Sequence, residues 1–311
     1  MNKIALFGYK GYIGSATLKM IATHYPIVAK ELNSYALYEP KKSSNGKLSG
    51  REFELKEELN INCSSTNESA WEKIYSCNVA IICVNTPGGK YGRLDISTVE
   101  EIVSKVSAET IIIKSTLPVG TVDMLEKKYG KDICFMPEFI GQSSYFVPKD
   151  LSGFDTDMKE CPFVILGGRK EVLKKVMSLI KPILGPMKNY FQHDAKIAEM
   201  IKLAENTLFA AKVSMWQQLY DVCNALRIDY DIVREGLFLD PRHGSKMHTA
   251  VFEDNRGWNS FCYNKDAPQL IRSSIENGFI PRLFLEVLKS NAEITSVEEV
   301  KRLPDLFKDI R

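Results

Sequence analysis

The 311-residue sequence is 44% hydrophobic and 26% charged, the mix of a soluble globular protein with room for one large domain or two ordinary ones. Its 41 basic and 39 acidic residues are interspersed and leave a net charge of +2, which provides no electrostatic footprint for nucleic acid. No apolar run approaches the ~18 residues of a membrane span. Seven cysteines without a CxxC pair and four scattered histidines point away from a disulfide framework or a metal site. The opening "KIALFGYKG" has no leader pattern, so a reducing cytoplasm is the expected compartment.

Taken in chain order, β-type runs occur at 3–8, 34–39, 79–84, 110–115, 133–138 and 162–168, most of them nearly continuous in apolar residues. Such runs suit strands buried on both faces of a parallel sheet. Helical stretches lie between them, including "SSTNESAWEKIY", where Ser65 and Glu68 have capping-box spacing. The alternation predicts an α/β, Rossmann-like doubly wound parallel sheet over residues 1–192. Residues 195–227 then contain neither Pro nor Gly and predict one helix far longer than the usual ~10–14 residues. Further helices are expected at 231–238, 266–277 and 281–294, making 193–311 an all-helical domain. A helix this long bridges domains or builds a dimer interface.

"GYKGYIG" follows the first strand and opens the first helix. Gly8, Gly11 and Gly14, with Tyr12 and Ile13 between them, suit a backbone turned tightly against a pyrophosphate at the helix N-terminus. An ordinary tight strand–helix turn is the other reading of the same glycines. Glu39 ends the 34–39 run, where an acid would accept hydrogen bonds from an adenosine ribose and favour NAD over NADP; Lys41 and Lys42 follow it. Two more turns, "CVNTPGGKYGRLD" and "KSTLPVGT", fall at the carboxyl ends of strands, where ligands sit in open α/β sheets. They offer Val84, Thr86, Pro87, Ser115 and Thr116 to a cofactor, although Thr and Pro also simply end strands.

Seven blocks in order resemble the nucleotide-sugar (UDP-glucose/GDP-mannose) 6-dehydrogenase family. "GYIG" resembles GYVG; "ICVNTP…GRLDISTV" resembles ICVxTP…DxxxDLSxV; "KSTLPVGT" resembles xSTVPxGT. "MPEFI" is similar to NPEFL, and "AEMIKLAENTLFAAKVS" to AExxKLxxNxFLAxKIS. "LDPRHG" is similar to DxRIG, and "GWNSFCYNKD" to GxGGxCxPKD. The resemblance implies NAD as cofactor, a nucleotide-sugar substrate and oxidation of a C6 alcohol to a carboxylate in two hydride transfers. It implies Cys262 as the nucleophile that forms a thiohemiacetal and then a thioester, and Asp266 as the base acting with a water. Lys202 and Asn206 match the pair that stabilises oxyanions and positions the sugar. Glu138 matches the glutamate that handles water in thioester hydrolysis, with Thr116 supporting that water. Phe139 and Lys265 match substrate contacts. Arg242 matches an arginine reaching substrate in the neighbouring subunit, which implies a homodimer built on the long helix. The residues agree with these roles: Lys202 and Asn206 are four apart on one helix face, and a lysine beside Cys262 would favour its thiolate.

The sequence departs from the family pattern in places. The family carries a further α/β domain that holds the substrate's nucleotide, and this sequence stops where that domain would begin, so the nucleotide is expected to be held differently or by another chain. Asn259 and Ser260 replace two glycines before the cysteine, and Asn264 replaces a proline, which predicts a reshaped pocket. Gln142 replaces a glutamate and His243 an apolar residue. Two other functions stay open: a two-electron dehydrogenase of the 3-hydroxy acid type, in which the cysteine is idle, and a non-catalytic cofactor-binding relative.

Overall fold

The computed structural model describes residues 2–42, 48–61, 64–141 and 158–310; Gln142 and the side chain of Ser65 fall outside the described residues. Two compact units divide the chain. Among the described residues, 2–86, 96–141 and 158–199 form the first, and 87–95 and 200–310 form the second.

The first unit has strands β1 (Ile4–Phe7), β2 (Ile27–Lys30), β3 (Ser34–Lys42), β4 (Leu48–Asn60), β5 (Val79–Ile82), β6 (Thr110–Ile113), β7 (Ile133–Phe135), β8 (Phe163–Gly167) and β9 (Asn189–His193). Its helices are α1 (Tyr12–Ile21), α2 (Ser64–Tyr75), α3 (Ser97–Lys105), α4 (Thr121–Tyr129) and α5 (Lys170–Leu184). The nine strands form one sheet in the order β4-β3-β2-β1-β5-β6-β7-β8-β9. Strands β2, β1, β5, β6 and β7 run parallel, as a Rossmann-like core should. Ile4, Leu6, Ile27, Ala29, Val79, Ile81 and Ile112 face one side, in a cluster with α1 and α5. Side chains alternate along a strand, so Phe7 faces the other side, where its ring meets Trp71 of α2 at 5.9 Å.

The sheet is mixed rather than wholly parallel, which corrects the expectation from the apolar runs. The 34–39 run is β3, and it turns back antiparallel on β2 and on β4. On that side of β1 the parallel neighbour is β2, but its four residues, "IVAK", are too few for periodicity to register. Strand β4 contains "REFELKEELN", rich in the strong helix formers Glu, Leu and Lys, and it is a strand because it zips onto β3. A bulge at Lys56, between the pairs Leu37–Glu57 and Tyr38–Leu55, breaks its alternation as well.

The long helix is α6 (Ala195–Ala225), 31 residues. It belongs to the second unit from Met200 onward, with α7 (Tyr230–Leu237), α8 (Phe261–Glu276), α9 (Arg282–Ile294) and α10 (Glu298–Lys301). Ala210 and Ala211 of α6 pack with Trp258, Ala267, Ile271 and Leu288 in a single apolar cluster. Helix α8 starts five residues before the predicted 266, because Ser260 caps it by accepting the Cys262 N–H. Residues 87–95 lie along α8: the Leu94 N–H donates to Gln269 Oε1 at 2.7 Å, and Arg272 Nε donates to the Tyr91 carbonyl at 2.5 Å.

Asn291, fully buried in α9, brackets Trp258: its Oδ1 accepts the Trp258 N–H at 2.8 Å and its Nδ2 donates to the Trp258 carbonyl at 3.0 Å. Asn291→Ala leaves both backbone groups buried and unpaired, and should cost about 2–4 kcal/mol in chemical denaturation.

Candidate active site

In the first unit, β1 ends at Gly8, whose φ of +80° would strain any side chain. A Cβ on Gly8 would lie 2.6 Å from the Cys83 carbonyl oxygen, and one on Gly14 would lie 1.8 Å from the Gly8 carbonyl oxygen. Bare backbone is therefore required, and α1 starts hard against the strand end with Gly11 as its capping residue. The first N–H groups of the helix have no intrahelical partner, the arrangement that suits a phosphate. Beside this turn is a cleft of about 1180 Å³, lined by Gly8, Lys10, Gly11, Glu31, Val84 and Asn85 among others.

Of the residues predicted to hold a cofactor, Gly8, Gly11 and Val84 line this cleft and Gly14 shapes the turn behind it. Glu39 does not. It is exposed within β3, across from Glu54, and β3 is an antiparallel strand rather than the one beside β1. The acid at the tip of the strand beside β1 is Glu31, which the short β2 concealed; its Oε1 accepts the Lys10 N–H at 2.9 Å. Tyr12 and Ile13 form the first turn of α1, where the Tyr12 hydroxyl donates to the Gly141 carbonyl and Ile13 packs on the core. Thr86 Oγ1 donates to the Thr116 carbonyl at 2.9 Å, and Ser115 Oγ to the Val84 carbonyl at 2.6 Å. These hydroxyls tie the turns after β5 and β6 to each other. Pro87 belongs to the second unit.

Glu138 follows β7 and is nearly buried, paired at 2.9 Å with Lys114, whose side chain is 1% exposed. Nothing in the motifs singles out Lys114. Next to Glu138, the Phe139 ring meets Phe163 edge-on at 5.2 Å.

In the second unit, α6 and α8 meet through Asp266, which is fully buried. Its Oδ2 accepts Asn206 Nδ2 at 2.6 Å and its Oδ1 accepts Lys265 Nζ at 2.6 Å. Two oxygens offer about four acceptor positions, so this carboxylate keeps acceptor capacity for a further donor. One turn before it on α8 is Cys262, half-buried at the second helical position, where the helix dipole favours a negative charge. Lys202, four residues before Asn206, pairs at 3.1 Å with Glu205, another residue not foreseen. One residue past Cys262, the Tyr263 hydroxyl shares a 2.9 Å hydrogen bond with His248 Nε2.

The expected activation of Cys262 by lysine is outweighed. Burial raises the thiol above its ordinary pKa and Asp266 adds to the rise, while Lys265 and Lys202 lower it and Glu205 opposes them. Two cations and two anions act in opposite directions, and desolvation, the largest influence, sets the direction. Arg242 lies in the exposed turn Pro241–His243, its guanidinium held on Asp240, with Nε 3.0 Å from each carboxylate oxygen.

Family models match both parts of the chain. Residues 2–180 match the NAD binding domain of the UDP-glucose/GDP-mannose dehydrogenase family, and residues 196–293 match its central domain. The chain belongs to the UDP-glucose/GDP-mannose dehydrogenase family. NAD is the cofactor of the matched domain. The UDP-glucose 6-dehydrogenase of Pseudomonas aeruginosa is 25% identical over 310 residues, spanning 92% of this chain and 64% of its own length. The structure of a UDP-glucose dehydrogenase from Pyrobaculum islandicum superposes with a TM-score of 0.69 at 18% identity, covering 94% of this chain and 68% of that one. A Mycobacterium tuberculosis 3-hydroxyisobutyrate dehydrogenase, at 11% identity and a TM-score of 0.60, covers 98% of this chain and 99% of that one. At these identities the two structures speak for the fold, and the fold accommodates both kinds of dehydrogenase. Among the described residues, no helix is long and apolar enough to cross a membrane.

The balance of charges around Cys262 is testable by iodoacetamide alkylation followed against pH. The midpoint should lie above that of an ordinary exposed cysteine, Lys265→Met should move it higher, and Asp266→Asn should move it lower. Asp266→Asn should also destabilise the protein by ~3–5 kcal/mol in urea, since it leaves the buried Lys265 ammonium without its counter-charge.

Proposed function

We propose that the protein is an NAD-dependent nucleotide-sugar 6-dehydrogenase that carries a sugar C6 alcohol to the carboxylate through a thioester on Cys262. The observation that carries this reading is the buried Asn206–Asp266–Lys265 linkage one helical turn from a half-buried cysteine, in a chain of this family. The bare-backbone turn of Gly8 and Gly14 and the cleft beside it fit a dinucleotide, with the start of α1 for the pyrophosphate and Glu31 for the adenosine ribose. NAD, when bound, takes up the hydride in each of two oxidations.

The chain's own residues do the rest. Asp266, with its remaining acceptor positions, takes the alcohol proton through a water. Lys202 stabilises the negative oxygen that develops, and Asn206 holds Asp266 while positioning the sugar. Cys262 adds to the aldehyde carbon, its thiol proton leaving as the C–S bond forms, to give a thiohemiacetal; loss of a second hydride and a proton leaves the thioester. Water adds to the thioester, the C–S bond breaks, and the carboxylate departs as the thiol is restored. Glu138 and Thr116 are assigned that water, and Phe139 and Lys265 contact with the substrate. Arg242 is assigned the anionic substrate of a second copy, which makes the working unit a homodimer through α6. Exposed Leu208, Met215 and Val222, seven residues apart on α6, support that assignment because they form one apolar stripe.

With NAD and UDP-glucose, or another nucleotide sugar from a UDP and GDP panel, two NADH should form per sugar consumed. Cys262→Ser should stop the reaction after the first oxidation and lower carboxylate formation by at least about 10³-fold, as loss of a covalent nucleophile does. One NADH per substrate with a fully active serine variant would replace this reading by the two-electron dehydrogenase. NAD binding without turnover on any sugar would make the protein a non-catalytic relative. In the same assay Glu31→Ala should weaken NAD about tenfold and shrink its advantage over NADP, consistent with losing a charged hydrogen-bond acceptor.

A further inference from the structure

Helix α4 begins at Gly120, which has a φ of +91° and no side chain with which to cap. Its first N–H groups still need acceptors. They find one on a different helix: Glu199 of α6, itself fully buried, accepts the Gly120 N–H on Oε2 at 2.5 Å and the Val122 N–H on Oε1 at 2.9 Å. A Ser or Asp at position 120 is the ordinary solution. A carboxylate taken wholly out of water is a costly replacement for it, and the arrangement makes the start of α4 depend on α6.

The segment between β6 and α4 is short and tied at each end. Ser115 Oγ donates to the carbonyl of Val84, which lines the cleft, and Thr86 Oγ1 donates to the Thr116 carbonyl. Leu117 is fully buried beneath it, and Thr121 Oγ1 closes the turn on the Pro118 carbonyl at 2.6 Å. Glu199 supplies the far anchor. We infer that Glu199 is a positioning residue for the cofactor, fixing residues 115–120 against residues 84–86, of which Val84 and Asn85 line the cleft, by capping α4 from α6. This rests on the dehydrogenase reading above, and it goes further by giving that site a dependence on pH.

Burial pushes the Glu199 carboxyl up to about 7, against the pull of its two backbone donors. Asp123 of α4 pushes in the same direction as burial, and Lys196, one turn earlier on α6 and 3.4 Å from Asp123, pulls against it. A carboxylate accepts both N–H groups fully, whereas a carboxylic acid brings a proton for which those donors offer no acceptor. Above neutrality the cap is therefore tight, and below it the cap loosens. The sign for folding is the opposite one: a carboxyl raised in the folded state favours folding most below its unfolded pKa and loses that contribution as pH rises through about 7. Cofactor affinity and stability thus respond to pH in opposite directions at this residue, which separates positioning from mere support.

The test is NAD titration by calorimetry at pH 6 and pH 8, with thermal denaturation alongside, for the wild type, Glu199→Gln and Glu199→Asp. The wild-type Kd should fall threefold or more between pH 6 and pH 8. Glu199→Gln should bind at least fivefold more weakly at pH 8 and show no such fall, and Glu199→Asp should recover part of it. A Glu199→Gln variant with wild-type Kd at both pH values overturns the inference, even if its Tm drops. A wild type that binds no NAD at either pH overturns the functional reading itself, and this inference with it. If Glu199→Gln does not fold, amide exchange in the wild type decides: protection of Gly120 and Val122 should rise threefold or more from pH 6 to pH 8, after correction for intrinsic rates, and flat protection overturns the inference.

Discussion

The carboxylate of Asp266 is the constraint from which the second unit takes its form. A fully buried charge is tolerable only if its oxygens are met by good donors, and here they are met by an amide from α6 and an ammonium from its own helix. That requirement fixes the register of α8 against α6. Cys262 then comes one turn earlier on the same face, and Ser260 closes the helix end beside it. Upstream, Gly257 has a φ of +77°, and a Cβ on it would come within 2.4 Å of Asn291 Oδ1. Only glycine lets the chain pass there, so the approach to the cysteine is as fixed as the helix that carries it.

Among the described residues, three carboxylates largely or wholly withdrawn from water are met by different kinds of donor. Asp266 has a mixed shell of amide and ammonium, Glu138 has an ammonium from Lys114, and Glu199 has backbone N–H groups. Among the described residues the last forms no ion pair, and its pKa is driven up to about 7 by burial. Around Cys262 opposite charges pull both ways, and the loss of water, the largest influence, holds the thiol's pKa above its ordinary value. Chemistry at that sulfur has to include the departure of its proton, which is where a carboxylate with unused acceptor positions on the same helix face matters.

Much of this was legible in the sequence. Apolar runs gave β1, β5, β6, β7 and β8 because strands buried on both faces must be apolar throughout. The absence of Pro and Gly gave α6 almost to the residue. What was lost was lost for physical reasons. Four residues of β2 are too short to show a period, and β4 owes its conformation to pairing with β3. Choosing β3 as the neighbour of β1 then moved the acidic position from Glu31 to Glu39. Motif order brought out Glu138, Lys202, Asn206, Cys262, Lys265 and Asp266 but not Lys114 and Glu205, the charge partners of Glu138 and Lys202. Lys114 and Glu205 act through pairing, and pairing across elements leaves no pattern in a single sequence.

Residues 87–95 leave the sheet after β5, join the second unit along α8, and return at α3. The second unit is therefore discontinuous in sequence: part of its surface is made more than a hundred residues before the helices it covers. During synthesis, Gln269 and Arg272 emerge to find their partners, the Leu94 amide and the Tyr91 carbonyl, already present on the chain. The helical half inherits a piece of its own fold from the nucleotide-binding half, so no single cut through the chain yields both units intact.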